Sequence, residues 1–275
     1  MNSDHYLGML PDDLDGKPYA KYWQPAMRPL QPHVREAVLH GEEAEALGFP
    51  MSEADQLLAP GYLALENGFT ILPGGKIFVA VRTDMPQVTG AMFEWWLGWH
   101  YMEHQRYKLW HPRAHIANGT NDMQGDNPLL SDRQKYMTTH YVTEYVGNRR
   151  EDITITFSDP ATLFSDKNQW ANNGITALVY GRVGLQRARI TIGHLVHQIR
   201  STPGGSEMRS RFWLGKPQLD ALGPYNPINR LLGSKPLSMR LTGAHLGRDM
   251  LVHCGMEMQH LAGFLPDLYG DYHKA

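Results

Sequence analysis

Hydrophobic and polar positions change their spacing at about residue 60. Before it, "PHVREAVLHGEEAEALGF" has apolar residues at helical spacing, and "SEADQLLAPG" begins with a capping Ser and stops at Pro-Gly. From Tyr62 onward, "YLALENGFTILPGGKIFVAVRT" contains two apolar runs with a Pro-Gly-Gly turn between them, which is typical of strands. The pattern predicts an N-terminal helical region over residues 1–60 and a second domain over residues 61–275.

The pattern of the second domain predicts a run of strands that lies between two helices. "QVTGAMFEWWLGWH" predicts an aromatic-rich helix, "RYKLW" a strand and "HPRAHIANGTNDMQGDNP" a long loop. Further strands follow in "KYMTTHYVTEYVG", "EDITITF", "ITALVYGRVG", "RARITIGHLVHQIR" and "EMRSRFWLG". The chain closes with a helix from about Thr242 to Leu265. This order predicts an α+β fold in which a curved antiparallel sheet grips the last helix, with a ligand between them.

Composition and charge exclude several classes of function. The net charge is −2 and Lys and Arg form no block, so nucleic acid is not an expected partner. No apolar run reaches the roughly 18 residues of a membrane helix, and the first residues lack the basic and apolar segments of a signal peptide. The single cysteine, Cys254, excludes an internal disulfide and fits a cytoplasmic location.

A metal in this chain would need His and carboxylate ligands, because one cysteine cannot build a thiolate site. His253 and Glu257 in "MLVHCGMEMQH" lie about 40° apart on a helix. The same angles place around them the apolar residues Leu246, Met250, Met256 and Phe264. An uncompensated carboxylate on an apolar face is costly, and a bound cation would remove that cost. An exposed polar stripe and half of a metal site both stay open here.

The strand "THYVTEYVG" offers a second carboxylate. Alternation puts Glu144 on one side together with His140, Val142 and Val146. A carboxylate between two valines suggests a buried group with a partner such as a metal, and the alternatives are an exposed face or an ion pair with an arginine. The remaining His ligand could be His111, His115 or His140, and spacing does not choose among them.

Two more candidates follow from strand and helix geometry. His197 shares its side of a strand with Leu195 and Ile199, so we expect it in the interior, where a hydrogen-bonded core histidine is the alternative. Cys254 and His253 diverge by about 100° on the helix, so they do not form a thiol–imidazole pair and Cys254 is expected to be structural.

The strings "MFEWWLGWH", "RYKLWHPRAHIAN", "YVTEYVG" and "MLVHCGMEMQH" occur in this order and resemble the 2,4-diacetylphloroglucinol hydrolase family, which includes phloretin hydrolase. The likeness runs from about residue 60 to the C-terminus. It implies a Bet v1-like (START-type) helix-grip fold, a homodimer and a zinc-dependent hydrolase acting on carbon–carbon bonds in ketonic substances. The implied substrate is a small acylated polyphenol, cleaved between its acyl group and a phloroglucinol-type ring.

The resemblance also implies roles for individual residues. The zinc ligands would be His115, Glu144, His253 and Glu257. Tyr107 and Asn118 would bind the substrate, and together with His197 they would be catalytic. A second substrate-binding Tyr of the family falls on Phe212, which leaves the acyl substrate open. Phe212 still shares strand parity with two apolar residues, so we expect it to line an apolar pocket.

The mechanism implied by this set begins with zinc activating a water that attacks the acyl carbonyl. His197 would then transfer a proton to the ring carbon, so that the ring leaves as a neutral phenol. Two other functions remain open: a non-catalytic helix-grip protein that binds an aromatic ligand, and a zinc hydrolase of another bond type. The former predicts no stoichiometric metal and no product.

Overall fold

The computed structural model describes residues 9–10, 12–165, 168–188, 190–219, 222, 226–232 and 245–273. Its α-helices are α1 (Pro32–His40), α2 (Gly90–His100), α3 (His104–Trp110), α4 (Asp132–Tyr136), α5 (Asn168–Asn172), α6 (Pro227–Leu232), α7 (Leu246–Leu261) and α8 (Leu265–Tyr272). Its strands are β1 (Gly68–Ile71), β2 (Ile77–Asp84), β3 (His115–Thr120), β4 (Thr139–Val146), β5 (Arg149–Ser158), β6 (Ile175–Leu185), β7 (Ile190–Thr202) and β8 (Gly205–Leu219). Short 3₁₀ helices span Ala20–Tyr22, Glu45–Leu47, Met51–Leu58 and Pro160–Thr162.

The strands form one antiparallel sheet with the order β1-β2-β8-β7-β6-β5-β4-β3. Helix α7 packs against β1 and β2 near one edge of this sheet and against β4 near the other. One helix can reach both edges only if the sheet curves around it. The predicted α+β helix-grip architecture is therefore confirmed, and α7 lies in the grip.

Both faces of the sheet are covered, which explains the continuous apolar run in "KIFVAVRT". In β2, Val79 and Val81 pack into the cluster that includes α7 and α2, on the concave side. Their neighbours Phe78 and Ala80 pack into a second cluster on the convex side, with Leu57 of the 3₁₀ helix Met51–Leu58. Alternate residues of one strand thus serve two cores.

The N-terminal region packs onto the sheet and onto α7. Val34 and Ala37 of α1 belong to the concave-side cluster together with Leu251 of α7. On the convex side, the buried guanidinium groups of Arg209 and Arg211 each donate to the Glu66 carboxylate, at 2.6 Å. These contacts fix the segment before β1 to the sheet. The domain boundary at residue 60 stays a prediction.

Most of the predicted elements are present. The Pro-Gly-Gly hairpin is β1–β2, the aromatic-rich helix is α2, and the five predicted strands correspond to β4–β8. Residue 189, within one of those predicted strands, lies outside the described residues. The alternation in β4 is also confirmed, since His140, Val142, Glu144 and Val146 are all buried while the residues between them are partly exposed.

The strand predicted for "RYKLW" is wrong, because these residues form the end of helix α3. Their polar–apolar alternation suggested a strand, yet Tyr107, Lys108, Leu109 and Trp110 are all buried. Lys108 can be buried because its Nζ lies 2.9 Å from the Asp13 carboxylate. Tertiary packing therefore overrode a short local pattern.

Two boundaries also differ from the prediction. The predicted loop "HPRAHIANGTNDMQGDNP" contains the edge strand β3, whose Asn and Gly residues give little strand signal. The last helix ends at Leu261 rather than Leu265, and α8 starts after a short break. Pro266 has no N–H for the Ala262 carbonyl and its ring crowds that carbonyl, which disfavours one continuous helix here. The predicted helix start at Thr242 lies outside the described residues.

Candidate metal centre and active site

An irregularity in β3 brings two polar side chains to the interior. His115 and Asn118 are both buried although they are three positions apart, a spacing that in a regular strand puts side chains on opposite faces. The pairing with β4 shifts between His115 and Ala117, so one extra residue is inserted there. This bulge turns both side chains inward. It also places His115 directly opposite Glu144 of β4.

Four side chains from three elements converge at this point. His115 Nε2 lies 3.6 Å from Glu144 Oε2 and 3.5 Å from Glu257 Oε2. His253 Nε2 lies 3.9 Å from Glu144 Oε2 and 3.7 Å from Glu257 Oε2. All four residues are buried, so the sequence pattern of α7 marks an interior site and not an exposed stripe. His253 and Glu257 come from α7, His115 from β3 and Glu144 from β4.

Tyr107 of α3 contacts two members of this group. Its hydroxyl donates to Glu144 Oε2, and its ring stacks on the His115 ring with centroids 3.8 Å apart. Its backbone carbonyl lies 3.0 Å from His115 Nδ1, which places the imidazole proton on Nδ1. The Nε2 lone pair of His115 therefore points toward the two carboxylates. An outer group that fixes tautomer and ring orientation in this way is a common feature of metal-binding histidines.

The charges of the group favour a bound cation. Burial and then the nearby Glu144 carboxylate raise the pKa of Glu257 well above its ordinary value. Burial and then His111 and His253 lower the pKa of His115 well below its ordinary value. Two carboxylates this close repel each other in a water-poor interior. A cation between them would reverse that repulsion and favour ionised carboxylates beside neutral imidazoles.

The donor atoms also fit a metal in their spacing. Ligands at about 2.0–2.2 Å from a tetrahedral zinc ion lie roughly 3.3–3.6 Å apart, close to the separations measured between these side chains. Among the described residues, His115 Nε2 is buried without a hydrogen-bond partner. His115, His253 and Glu257 form a buried group that could hold a metal ion, and Glu144 Oε2 lies within 4 Å of both imidazoles.

Beside this group lies an inner chamber between the sheet and α7. Tyr107, Glu144, His253 and Glu257 line it on one side, and His197 and Phe212 on another. The rings of His197 and Phe212 meet edge to face, with centroids 5.7 Å apart. Phe212 thus lies in the pocket wall that its strand parity indicates. His100 and His140 also contribute to the wall.

His197 is held by the neighbouring strand. Its Nδ1 lies 2.8 Å from the Ser210 hydroxyl, directly across the β7–β8 pair. Burial lowers the pKa of His197 to about 3, so the imidazole is neutral at physiological pH. The other ring nitrogen of His197, Nε2, therefore remains available to groups in the chamber. A neutral imidazole with one fixed nitrogen is suited to moving a proton at the other.

The structure separates the three histidines that spacing left open. His115 joins the carboxylates, whereas His111 stacks on His253 with ring centroids 4.9 Å apart and lies 5.5 Å from the His115 ring. His140 lies deeper in the chamber, 4.6 Å from the Tyr101 ring. Asn118 lies behind the chamber wall, where its Nδ2 donates to the His100 carbonyl over 3.3 Å. Asn118 is not among the residues that line the inner chamber, so its substrate-binding role stays a prediction.

Two contacts of the site were not anticipated from the sequence. The bond from Tyr107 to Glu144 joins a helix to a strand 37 residues away, and no local pattern signals it. Ser210 had a signal, since it lies on β8 between Met208 and Phe212 on the same strand face. A small polar residue on an otherwise apolar face is a reason to look for a polar partner.

Comparison with known proteins identifies the family of this chain. Residues 49–270 match the family model described as "DAPG hydrolase PhiG domain". The chain belongs to this family. A 2,4-diacetylphloroglucinol hydrolase from Pseudomonas sp is 31% identical over 269 residues, covering 93% of this chain and 88% of the relative. A second enzyme of that name, from Pseudomonas protegens, is 30% identical and covers 93% and 85%.

A more distant relative is a phloretin hydrolase from Eubacterium ramulus, which is 27% identical over 258 residues and covers 92% of this chain and 89% of its own. Among solved structures, the crystal structure of Ara h 8.0201 matches 66% of this chain and 99% of its own, with 10% identity and a TM-score of 0.31. Within the described residues, no helix has the length and apolar character needed to span a membrane.

Proposed function

We propose that this protein is a zinc-dependent hydrolase that cleaves the carbon–carbon bond between an acyl group and a phloroglucinol-type ring. The products would be a carboxylic acid and the deacylated phenol. The observation that carries the proposal is the buried cluster of His115, Glu144, His253 and Glu257 on the wall of a chamber. Relatives with the names 2,4-diacetylphloroglucinol hydrolase and phloretin hydrolase support the substrate class.

The four side chains of this cluster would hold the zinc ion. Two carboxylates and two neutral imidazoles balance the charge of Zn²⁺, which compensates the cost of burying Glu144 and Glu257. When bound, zinc supplies Lewis acidity toward a carbonyl oxygen or a water. Tyr107 would keep Glu144 and His115 in position through its hydroxyl, ring and backbone carbonyl.

His197 would move the proton that the leaving ring needs. Cleavage leaves the electron pair of the broken bond on a ring carbon, and a proton at that carbon turns the ring into a neutral phenol. Polyhydroxylation assists this step because the ring can reach a keto tautomer. The neutral imidazole of His197 lines the chamber and is fixed at Nδ1 by Ser210, so its Nε2 would accept the proton that the attacking water releases and pass it to the ring carbon.

The decisive experiment compares metal content and turnover in one set of proteins. The wild-type protein should contain one zinc per chain by elemental analysis and should deacylate diacetylphloroglucinol or phloretin, read as loss of acylphenol absorbance. Glu257→Ala should lose zinc and activity together while its circular dichroism spectrum stays native. Asp249→Ala, on the same side of α7 but outside the ligand set, is the matched control and should keep both.

The outcomes distinguish the competing functions. A metal-free Glu257→Ala protein with full activity would contradict the proposal. A wild-type protein that binds these compounds without metal and without product would be a carrier of aromatic ligands. Stoichiometric zinc with hydrolysis of phenyl esters, but not of these ketones, would indicate another bond type.

A homodimer and a cytoplasmic location are the remaining parts of the proposal. Family resemblance supports the dimer, and the single buried Cys254 fits a reducing compartment. Light scattering coupled to size-exclusion chromatography measures the first. Fractionation of cells that produce the full chain measures the second.

A further inference from the structure

A second cavity adjoins the inner chamber. The two cavities share five lining residues, namely Glu144, Ile153, Val183, Leu214 and Met250. We call the second cavity the outer chamber and define it by the residues that line it alone, which include Val146, Leu185, Ile190, Ile192 and Leu246. Because Glu144 borders both cavities, a molecule with its carbonyl at the candidate metal centre can extend into either one.

The two chambers differ in chemistry. The inner chamber carries polar ring groups, among them His100, Tyr107, His140 and His197. The outer chamber is lined mainly by aliphatic side chains. Apart from the shared Glu144, its charged residues are Arg149 and Glu151, which lie 3.3 Å apart and neutralise each other. A polyhydroxylated ring needs hydrogen-bonding partners when it is buried, whereas an alkyl or aryl chain does not. The polyhydroxylated ring of the substrate therefore suits the inner chamber, and its alkyl or aryl substituent suits the outer chamber.

The two chambers also differ in size. The outer chamber has a volume of about 360 Å³, and the inner chamber has about 90 Å³. The methyl group of an acetyl substituent would leave most of the outer chamber without contacts. An arylpropanoyl group or an alkyl chain of similar length would bury apolar surface against its walls, which strengthens binding about fourfold per methylene.

We propose that the outer chamber binds the acyl substituent of the substrate, and that this substituent is an apolar chain longer than acetyl. This inference rests on the proposed function, because it places the carbonyl of an acylphloroglucinol between the two chambers. It goes further than the proposed function by naming the acyl substituent that the protein selects. An acylphloroglucinol with an arylpropanoyl side chain would be a better substrate than one with acetyl groups.

The first test measures binding without catalysis. It uses 2-[3-(4-hydroxyphenyl)propyl]phloroglucinol and 2-ethylphloroglucinol, in which a methylene replaces the ketone and cleavage is impossible. Calorimetric titration of the zinc-loaded protein should give at least roughly tenfold tighter binding for the arylpropyl compound. Leu185→Trp and Leu246→Trp fill the outer chamber from β6 and from α7. Each should reduce that affinity ratio at least fivefold, because the added ring occupies the space in which the arylpropyl group would bury its apolar surface.

Leu129→Trp is the control for these variants. Leu129 is 90% exposed and lines neither chamber, so the same added ring should leave the affinity ratio unchanged. Two substituted positions on different elements keep the test available if one variant does not fold. A wild-type ratio near one, or a ratio that persists in the folded Trp variants, would overturn the proposal.

The second test measures turnover and separates the two hypotheses. Wild-type kcat/KM for phloretin should exceed that for monoacetylphloroglucinol, and the Trp variants should lower this preference. Cleavage of both ketones with an unchanged preference would overturn the outer-chamber assignment and leave the proposed function intact. Selective binding of the arylpropyl compound without cleavage of either ketone would support the outer chamber and contradict the proposed function.

Discussion

The hydroxyl of Tyr107 donates a hydrogen bond to Glu144 Oε2, and this bond connects the middle of helix α3 to strand β4. Burial and then the Glu144 charge raise the pKa of Tyr107 well above its ordinary value, so the phenol keeps its proton and acts as a donor. The same residue stacks on His115. Tyr107 is therefore positioned to orient two of the four proposed zinc ligands as well as to contact a substrate.

Tyr107→Phe should weaken zinc binding. The variant keeps the ring that stacks on His115 and removes only the donor to Glu144, so we expect zinc affinity to fall roughly 10–100-fold, as for other outer-shell partners. Competition with a chromogenic chelator measures this. Tyr101→Phe is the matched control, because the Tyr101 hydroxyl donates to the Lys135 carbonyl away from the proposed ligands. Equal zinc affinity in Tyr107→Phe and wild type would contradict the orienting role.

His197→Ala should separate metal binding from turnover. His197 lies outside the proposed ligand group, so the variant should retain one zinc per chain by elemental analysis. Its kcat should fall by roughly 10²–10⁴, the usual contribution of a general acid or base. Unchanged turnover in a folded, zinc-loaded variant would remove His197 from the mechanism. Loss of zinc together with activity would instead assign it to the metal site.

Ser210→Ala should act through His197. Without the hydroxyl, Nδ1 loses its 2.8 Å partner and the imidazole is no longer fixed. The loss of one hydrogen bond predicts a fall in kcat of about fivefold to tenfold, with less change in KM. A double-mutant cycle checks the route, because the Ser210 effect should disappear in the His197→Ala background. An equal effect in both backgrounds would indicate a structural role.

Glu66→Gln should destabilise the fold in a pH-dependent way. Burial raises the pKa of Glu66, but the charges of Arg211 and Arg209 outweigh it and lower that pKa from 4.5 to about 2. The folded-state pKa lies below the unfolded one, so this stabilisation is present above pH 4.5 and is lost as the pH falls toward 2. At pH 7 we expect a loss of about 3 kcal/mol in the free energy of unfolding.

Urea unfolding of Glu66→Gln and wild type at pH 7 and pH 3 measures this difference. The gap between the two proteins should be large at pH 7 and clearly smaller at pH 3, since at pH 3 Glu66 is protonated in the unfolded chain but still ionised in the folded protein. Glu53→Gln is a suitable control, because Glu53 lies on an exposed part of the 3₁₀ helix Met51–Leu58. A gap of equal size at both pH values would show that the carboxylate charge is not what holds Arg209 and Arg211.

Much of the fold and half of the candidate site followed from the sequence by itself. Periodicity is a local property, so strand alternation placed Glu144 and His197 in the interior, and helical angles placed His253 and Glu257 on one apolar face. Glycine turns and the change of period at about residue 60 similarly predicted the sheet and the helix in its grip. These features depend on residues within a few positions of one another.

The tertiary structure decided the rest. His115 reaches the carboxylates because β3 contains a bulge, and a one-residue shift of register is invisible in a short Asn- and Gly-rich segment. Helix α3 formed where alternation predicted a strand, because Lys108 found a buried partner in Asp13, 95 residues away. The contacts of Tyr107 with Glu144 and of Ser210 with His197 cross between elements. Their geometry exists only once the sheet has curved around α7, since no local pattern encodes distances between segments far apart in the chain.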